Sequence, residues 1–340
     1  MSQTPGELEV VGMTDAGAAL GGLVPESGNE EAAIVGRSLS QIAWRRLKRD
    51  KLALASGVVV LLFVLIAILA PVLQHLMHQN YTDLHDSPPD DALNPATNMP
   101  LGGFGGMSVH HWFGVTPVQG QDIAAMLMFG ARTSLIIGVA STMLALVLGV
   151  PLGIVAGYYR GWADNVISRV MDVLLSFPVL LLSISLIAVV ALISNATWVR
   201  FAVLIFVLGF FGFPYIGRIV RGQVLSLREK EFVDASRSLG ASNLRIMARE
   251  IAPNLVGPIL VYTTLTIPNN ILGEAGLSFL GVGLQPPTVS WGQMLSDAGN
   301  YFQIDPMYLV FPGLALFITV MAFNLFGDGL RDALDPKSTR

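Results

Sequence analysis

The chain has 340 residues, of which 53% are apolar and 13% charged, with a formal net charge of −4 and a mean hydropathy of +0.61. A soluble chain of this length carries about twice that share of charge, and a disordered chain combines low hydrophobicity with high charge, so both classes are excluded. Cys is absent, which removes disulfides, iron–sulfur clusters and thiol catalysis.

Residues 1–36 hold six acidic residues and no basic one, the composition of a disordered tail. Residues 37–51 turn basic, with Trp44 among the charges. Both a helix lying on anionic lipid and a plain basic anchor fit this segment. A membrane-crossing helix needs about 20 apolar residues. Six uncharged segments meet or approach that length: 52–73, 133–159, 173–199, 201–217, 251–273 and 306–327. The fourth is short, so its helix is expected to continue into the charged residues beyond. A seventh run, 275–296, carries Gly276, Gly281, Gly283, Pro286, Pro287 and Gly292. That density of breakers predicts a hairpin or half-helix rather than a span.

Of 20 Lys and Arg residues, 18 lie before span one, between spans two and three, between spans four and five, or after span six. Only Arg132 and Arg200 fall on the other side, and the long loop 74–130 has none. The positive-inside rule then places both termini in the cytoplasm and predicts six spans. The expected organisation is a tail at 1–36, a basic interfacial segment at 37–51, a first span at 52–73 and an extracytoplasmic loop at 74–130. A five-helix core follows at 131–330, with a charged cytoplasmic loop at 218–254, and a tail at 331–340 ends the chain.

Ala145, Gly149, Gly153 and Gly157 recur every four residues in span two. Small residues at this spacing form a stripe that lets another helix approach closely, and Pro151 beside it predicts a kink. In the loop 218–254, Phe232, Ala235, Ser236 and Leu239 share one helical face, with Gly240 as the expected C-cap. Ser242 or Asn243 would cap a second helix with Leu244, Met247, Ala248 and Ile251 on one face, Arg245 and Arg249 on the other, and Pro253 at its far end. Spacing alone leaves two readings open: a docking element for a soluble partner, or an interfacial helix on lipid.

All five His residues, His75, His78, His85, His110 and His111, lie in the outer loop or at its border. They read as solvated loop residues, and no metal site is assigned. No Walker A motif is present, since no Lys follows a Gly, and no G-x-S-x-G elbow occurs. Asp172, Glu274 and Asp328 read as lying at span ends, which leaves the midplane without the carboxylates of a proton- or sodium-coupled carrier.

The stretch F-V-D-A-S-R-S-L-G, Phe232, Val233, Asp234, Ala235, Ser236, Arg237, Ser238, Leu239 and Gly240, followed after twelve intervening residues by Pro253, resembles the EAA loop of bacterial ABC-importer permeases. Asp234 stands where that motif has Glu, Ser236 where it has a second Ala, and Ala252 where Leu is usual. E-A-G-L-S-F-L-G-V-G-L-Q-P-P-T-V-S-W-G-Q-M-L at 274–295 and F-N-L-F-G-D-G-L-R-D-A-L-D-P at 323–336 look like the second permease of dipeptide and oligopeptide importers. W-R-R-L-K-R-D-K-L-A-L at 44–54 and H-W-F-G at 111–114 fit the same pattern, with Gln121 where the family has Arg. The resemblance covers about 40–336.

It implies an all-α permease of the type I importer fold in the bacterial cytoplasmic membrane, with no catalytic residues of its own. A homologous first permease would complete a heterodimer. Two ATPase subunits would dock at the EAA loop and bind the ATP and Mg, so this chain needs no cofactor. A substrate-binding protein would deliver di- or oligopeptides from outside, and nucleic acid is not an expected partner. Phe232 to Gly240 would form the coupling helix, with Asp234 and Arg237 on its polar side. Nickel, glutathione and haem are substrates of similar systems, and a stand-alone carrier is the rival from another class.

Overall fold

The computed structural model describes residues 39–77, 79–84, 92–102, 104–194 and 196–334. The tail 1–36, His78, His85, and the basic residues Lys337 and Arg340 lie outside the described residues.

Helix α1, Leu39–Arg49, meets α2, Lys51–Met77, at Asp50. The Asp50 carboxylate accepts from the backbone N–H groups of Leu52 (2.9 Å) and Ala53 (3.0 Å), satisfying two of the donors that open α2. Helix α3, Ile123–Tyr159, starts from Asp122, whose Oδ1 accepts from the Ala125 N–H at 2.8 Å. It runs as one uninterrupted helix through Pro151 and ends at Arg160, which has φ 56°. Then come α4, Gly161–Ser176, α5, Val179–Ile193, and α6, Thr197–Leu227. The remaining elements are α7, Glu231–Ser238, the single turn α8, Asn243–Arg245, a π-helical stretch Ile246–Ile251, and α9, Ala252–Phe279. The last two are α10, Trp291–Ala298, and α11, Pro306–Leu334. Among the described residues the only extended pairings are two isolated bridges in the outer loop, Leu93 with Pro100 and Val115 with Asp122.

Among the described residues, five helices are long and apolar enough to cross a bilayer unaided, and α4 with α5 makes a sixth only as a broken pair bent by 78°. This corrects the third span, which the sequence presents as one run over 173–199. The break is at Phe177–Pro178. A residue before proline is driven out of the helical region, and Phe177 sits at ψ 136°. Hydropathy does not register such a bend, because the apolar side chains continue across it. The fourth segment does extend into charged residues, since α6 contains both Arg218 and Arg221. The run 275–296 is divided among the end of α9, a turn at 280–290 and α10.

Helix α3 packs most extensively on α6. A Cβ at Gly149 would come within 2.7 Å of the Phe213 carbonyl, and one at Gly153 within 2.6 Å of the Gly217 carbonyl. At Gly157 it would come within 2.7 Å of the Val224 Cβ, while Ala145 is buried in the same stripe, near Gly212. The two backbones therefore approach as closely as glycine permits. Gly209 on α6 repeats the pattern against the Ser141 carbonyl at 2.7 Å.

Among the described residues, three large buried clusters hold the bundle, and a smaller fourth joins α1 to α2 and α11. One joins α2, α3, α9, α10 and α11 around Trp291, Ile271 and Met294. A second, around Tyr158, Val220, Val224 and Ile251, lies at the opposite end and includes Val233 of α7. The third joins α3, α5, α6 and α9 around Ile137 and Leu204.

Candidate functional site: the loop between α6 and α9

The loop is built on ion pairs that fix its root. Arg221 in α6 makes a two-pronged contact with Asp164 in α4, at 2.5 and 2.7 Å, a geometry matched to a planar guanidinium. Arg218 pairs with Asp172 of α4, and Arg160 pairs with Glu229. Arg228 donates to the Tyr158 carbonyl at 2.5 Å, closing one of the acceptors left open at the end of α3. These cations of the 218–228 stretch thus engage partners within the chain, which ties the root of the loop to α3 and α4.

Helix α7 lies on this root. Its inward residue is Val233, 0% exposed, among Ile246, Met247 and Ile251. Phe232 is 37% and Leu239 89% exposed. The apolar face expected from Phe232, Ala235, Ser236 and Leu239 therefore does not turn inward: Val233 is the residue that anchors the helix, and Phe232, Ala235 and Leu239 are on the exposed side. Asp234 and Arg237 are also exposed and bond to each other at 3.2 Å. Gly240 follows with φ +79°, the left-handed conformation that a helix C-terminus commonly uses and that glycine adopts without strain.

The second piece also differs from its expected face. Ser242 caps it, its Oγ accepting from the Arg245 N–H at 3.4 Å. Ile246, Met247 and Ile251 are buried, whereas Leu244 is 73% exposed and Ala248 is exposed. The cause is the π-helical stretch. It adds a residue to the turn, so positions five apart, Ile246 and Ile251, share the inner face in place of positions four apart. Pro253, in the first turn of α9, supplies the physical reason, because it has no N–H for the carbonyl four residues earlier. The Asn254 side chain donates to the Glu250 carbonyl at 2.6 Å. Phe232, Leu239 and Leu244 are therefore each exposed on a charged loop whose inner side is keyed into the bundle core.

At the other end of the bundle two residues depart from their expected settings. His111 is not a solvated loop residue: it is 8% exposed, and its Nδ1 lies 2.9 Å from Asp122 Oδ2. His110 is exposed, and His75 sits exposed on the last turn of α2. Gln121, standing where the similar permeases have Arg, donates its side-chain amide to the Tyr81 carbonyl at 2.9 Å and so ties the two halves of the outer loop. Glu274 lies near the end of its span, five residues before Phe279, but is not open to solvent there. It is inside α9, 0% exposed, and accepts from Ser134 of α3 at 2.8 Å and from Ser278 at 2.7 Å. Ser278 in turn accepts from the Leu284 N–H at 3.1 Å, so the carboxylate joins α3, α9 and the turn that follows. The four-residue spacing of Glu274 and Ser278 was a visible signal for this bond; the approach of Ser134, 140 positions away, was not.

Comparison with known proteins agrees with this architecture. Residues 149–340 match the family described as binding-protein-dependent transport system inner membrane component, and residues 38–89 match the N-terminal TM domain of oligopeptide transport permease C. The chain is 42% identical over 294 residues to the glutathione transport system permease protein GsiD of Pectobacterium atrosepticum, covering 86% of this chain and 90% of that protein. It is 40% identical over 295 residues to the dipeptide transport system permease protein DppC of Alkalihalophilus pseudofirmus, covering 87% and 89%. An inward-facing MetNI methionine ABC transporter structure shares the fold, with a TM-score of 0.52, 20% identity, and coverage of 63% of this chain and 98% of that one. The chain therefore belongs to the binding-protein-dependent inner membrane transport family, as a multi-pass permease of an ABC importer.

Proposed function

We propose that this permease translocates di- or oligopeptides, and that α7 with the turn after it is where it receives the stroke of its ATPase subunits. The observation that carries the coupling reading is the two-sided character of α7. Val233 is locked into the bundle core, while Phe232, Leu239 and Leu244 stand exposed on a charged loop. Exposed apolar residues grouped on a polar surface mark an interaction site. A helix held on one side by the core and free on the other passes displacement from a docked protein into α6 and α9.

ATP and Mg belong to two ATPase subunits in this reading, and a homologous permease completes the pathway. The Lys and Arg distribution supports a cytoplasmic setting for the loop and both termini. A binding protein presents peptide at the opposite face. The peptide assignment rests on the relatives named for dipeptide and glutathione transport, glutathione itself being a short peptide.

The test is co-purification. With the complex expressed from all its subunits, Phe232→Asp combined with Leu239→Asp should leave the permease folded and cut recovery of the ATPases by roughly tenfold or more, the scale of losing two buried apolar contacts of about 1 kcal/mol or more each. Unchanged recovery of the ATPases would remove α7 from the docking surface.

A further inference from the structure

We infer that α1 carries a binding face for anionic phospholipid headgroups. The helix is held in a fixed pose: Leu47 is buried against Ala53 of α2 and Ala333 of α11, with Phe326 and Leu334 packed around them. Asp50 is committed to the first turn of α2. Leu47 thus defines the inner side of α1. Arg45, Lys48 and Arg49, at helical spacings of three and four, fall together on the opposite side, and all three are exposed. None of them has an ion-pair partner among the described residues. Lys48 reaches over the ring of Trp44, 5.2 Å from its centre, and Trp44 itself is exposed beside the cations.

The position of this face identifies its partner. The exposed apolar surface of α2 begins at Leu52 and continues through Leu54, Val58, Leu61 and Leu62. Those residues mark the start of the hydrocarbon layer, so Arg45, Lys48 and Arg49 lie within a turn or two of it, at headgroup depth. Tryptophan with Lys and Arg is the residue set that suits this layer. Cations presented from a packed helix at headgroup depth fit a phosphodiester that carries no compensating positive charge.

Lipid retention tests the assignment on the full chain. The affinity-bound protein is exchanged into micelles containing equal phosphatidylglycerol and phosphatidylcholine and washed, and the retained lipids are counted by mass spectrometry. Retention of phosphatidylglycerol over phosphatidylcholine by at least about fivefold is expected from three cations near an anionic surface. Arg45→Gln, Lys48→Gln and Arg49→Gln together should bring the ratio close to one. Washing the unmodified chain at about 0.5 M salt, where charge interactions are screened within a few ångströms, asks the same question without a substitution. A ratio near one in the unmodified chain, or a preference that survives both the substitutions and the salt, overturns the proposal. So does loss of the ATPase subunits from the triple variant without any change in lipid ratio, which would make the face a protein contact.

Discussion

At Gly153 a Cβ would meet the Gly217 carbonyl at 2.6 Å and the Val220 Cβ at 2.8 Å. The first of these is backbone, which cannot swing aside. Gly153→Val should therefore lower the thermal midpoint of the purified chain, costing about 1–3 kcal/mol or more through forced separation of α3 and α6. Gly222→Ala, in open space on α6, should hold or raise it, by about 0.5–1 kcal/mol from the better helix former. Equal effects at the two positions would show that the α3–α6 approach is not what Gly153 serves. Glu274 allows a second contrast. Glu274→Ala leaves the Ser134 and Ser278 hydroxyls without their acceptor and opens a cavity, at a cost of about 2–4 kcal/mol. Glu274→Gln keeps an acceptor oxygen and the volume, and should recover most of that loss in the same melting measurement. Asp297 in α10 gives a pH dependence. Burial pushes its carboxyl above the usual range, and the Gln293 amide offsets this in part. The folded state thus holds the proton more tightly than the unfolded state. Its contribution to stability is greatest below pH 4, declines as pH rises to the folded value, and is flat above that. Asp297→Asn should raise the midpoint at pH 7 relative to the native chain and flatten this part of the profile; an unchanged profile would contradict the assignment.

At the level of elements, the long helices α2, α3, α6, α9 and α11 were legible because a stretch of about 20 apolar residues has few other uses. The stripe of Gly149, Gly153 and Gly157 was legible as a close-packing face, but not as a face for α6, since spacing names a surface and not its partner. The bend between α4 and α5 was only half visible. Pro178 stands in the sequence, yet the apolar run continues through it, and pattern alone cannot separate a kinked span from a broken one. The π-helical stretch was invisible for a related reason. A single extra residue in one turn moves Leu244 and Ala248 outward and Ile246 inward, and a regular 3.6-residue reading assigns those faces the other way. His111 was misread as solvated, and the burial of Glu274 was not legible, because burial of a polar residue is set by neighbours distant in the chain, Ser134 for Glu274, rather than by the local pattern. The proposed coupling role of α7 is tested by its orientation. Val233→Asp should both destabilise the chain and weaken ATPase recovery, because it introduces a charge among Ile246, Met247 and Ile251 without a partner. Phe232→Asp with Leu239→Asp should affect recovery alone.

For the whole molecule, the two ends of the bundle have different tasks. One end carries the ion-paired root of the loop and α7; the other carries the outer loop tied down by His111, Asp122 and Gln121, with Glu274 fastening α9 to α3 nearby. Helices α3, α6 and α9 run between them, and the stroke proposed for α7 would reach the far end through these packed helices. The acidic segment 1–36 lies outside the described residues, and its deletion should leave transport intact at equal expression; a clear loss would give the segment a role in assembly or regulation. The most direct test of the account is ATP hydrolysis by the complete reconstituted complex, with and without its binding protein and a set of short peptides. Binding protein with peptide is expected to stimulate hydrolysis, and Gly240→Asp, which strains a φ of +79° at the end of α7, to reduce that stimulation while the chain remains folded. Solute movement by this chain purified alone, with no ATPase present, would contradict the account.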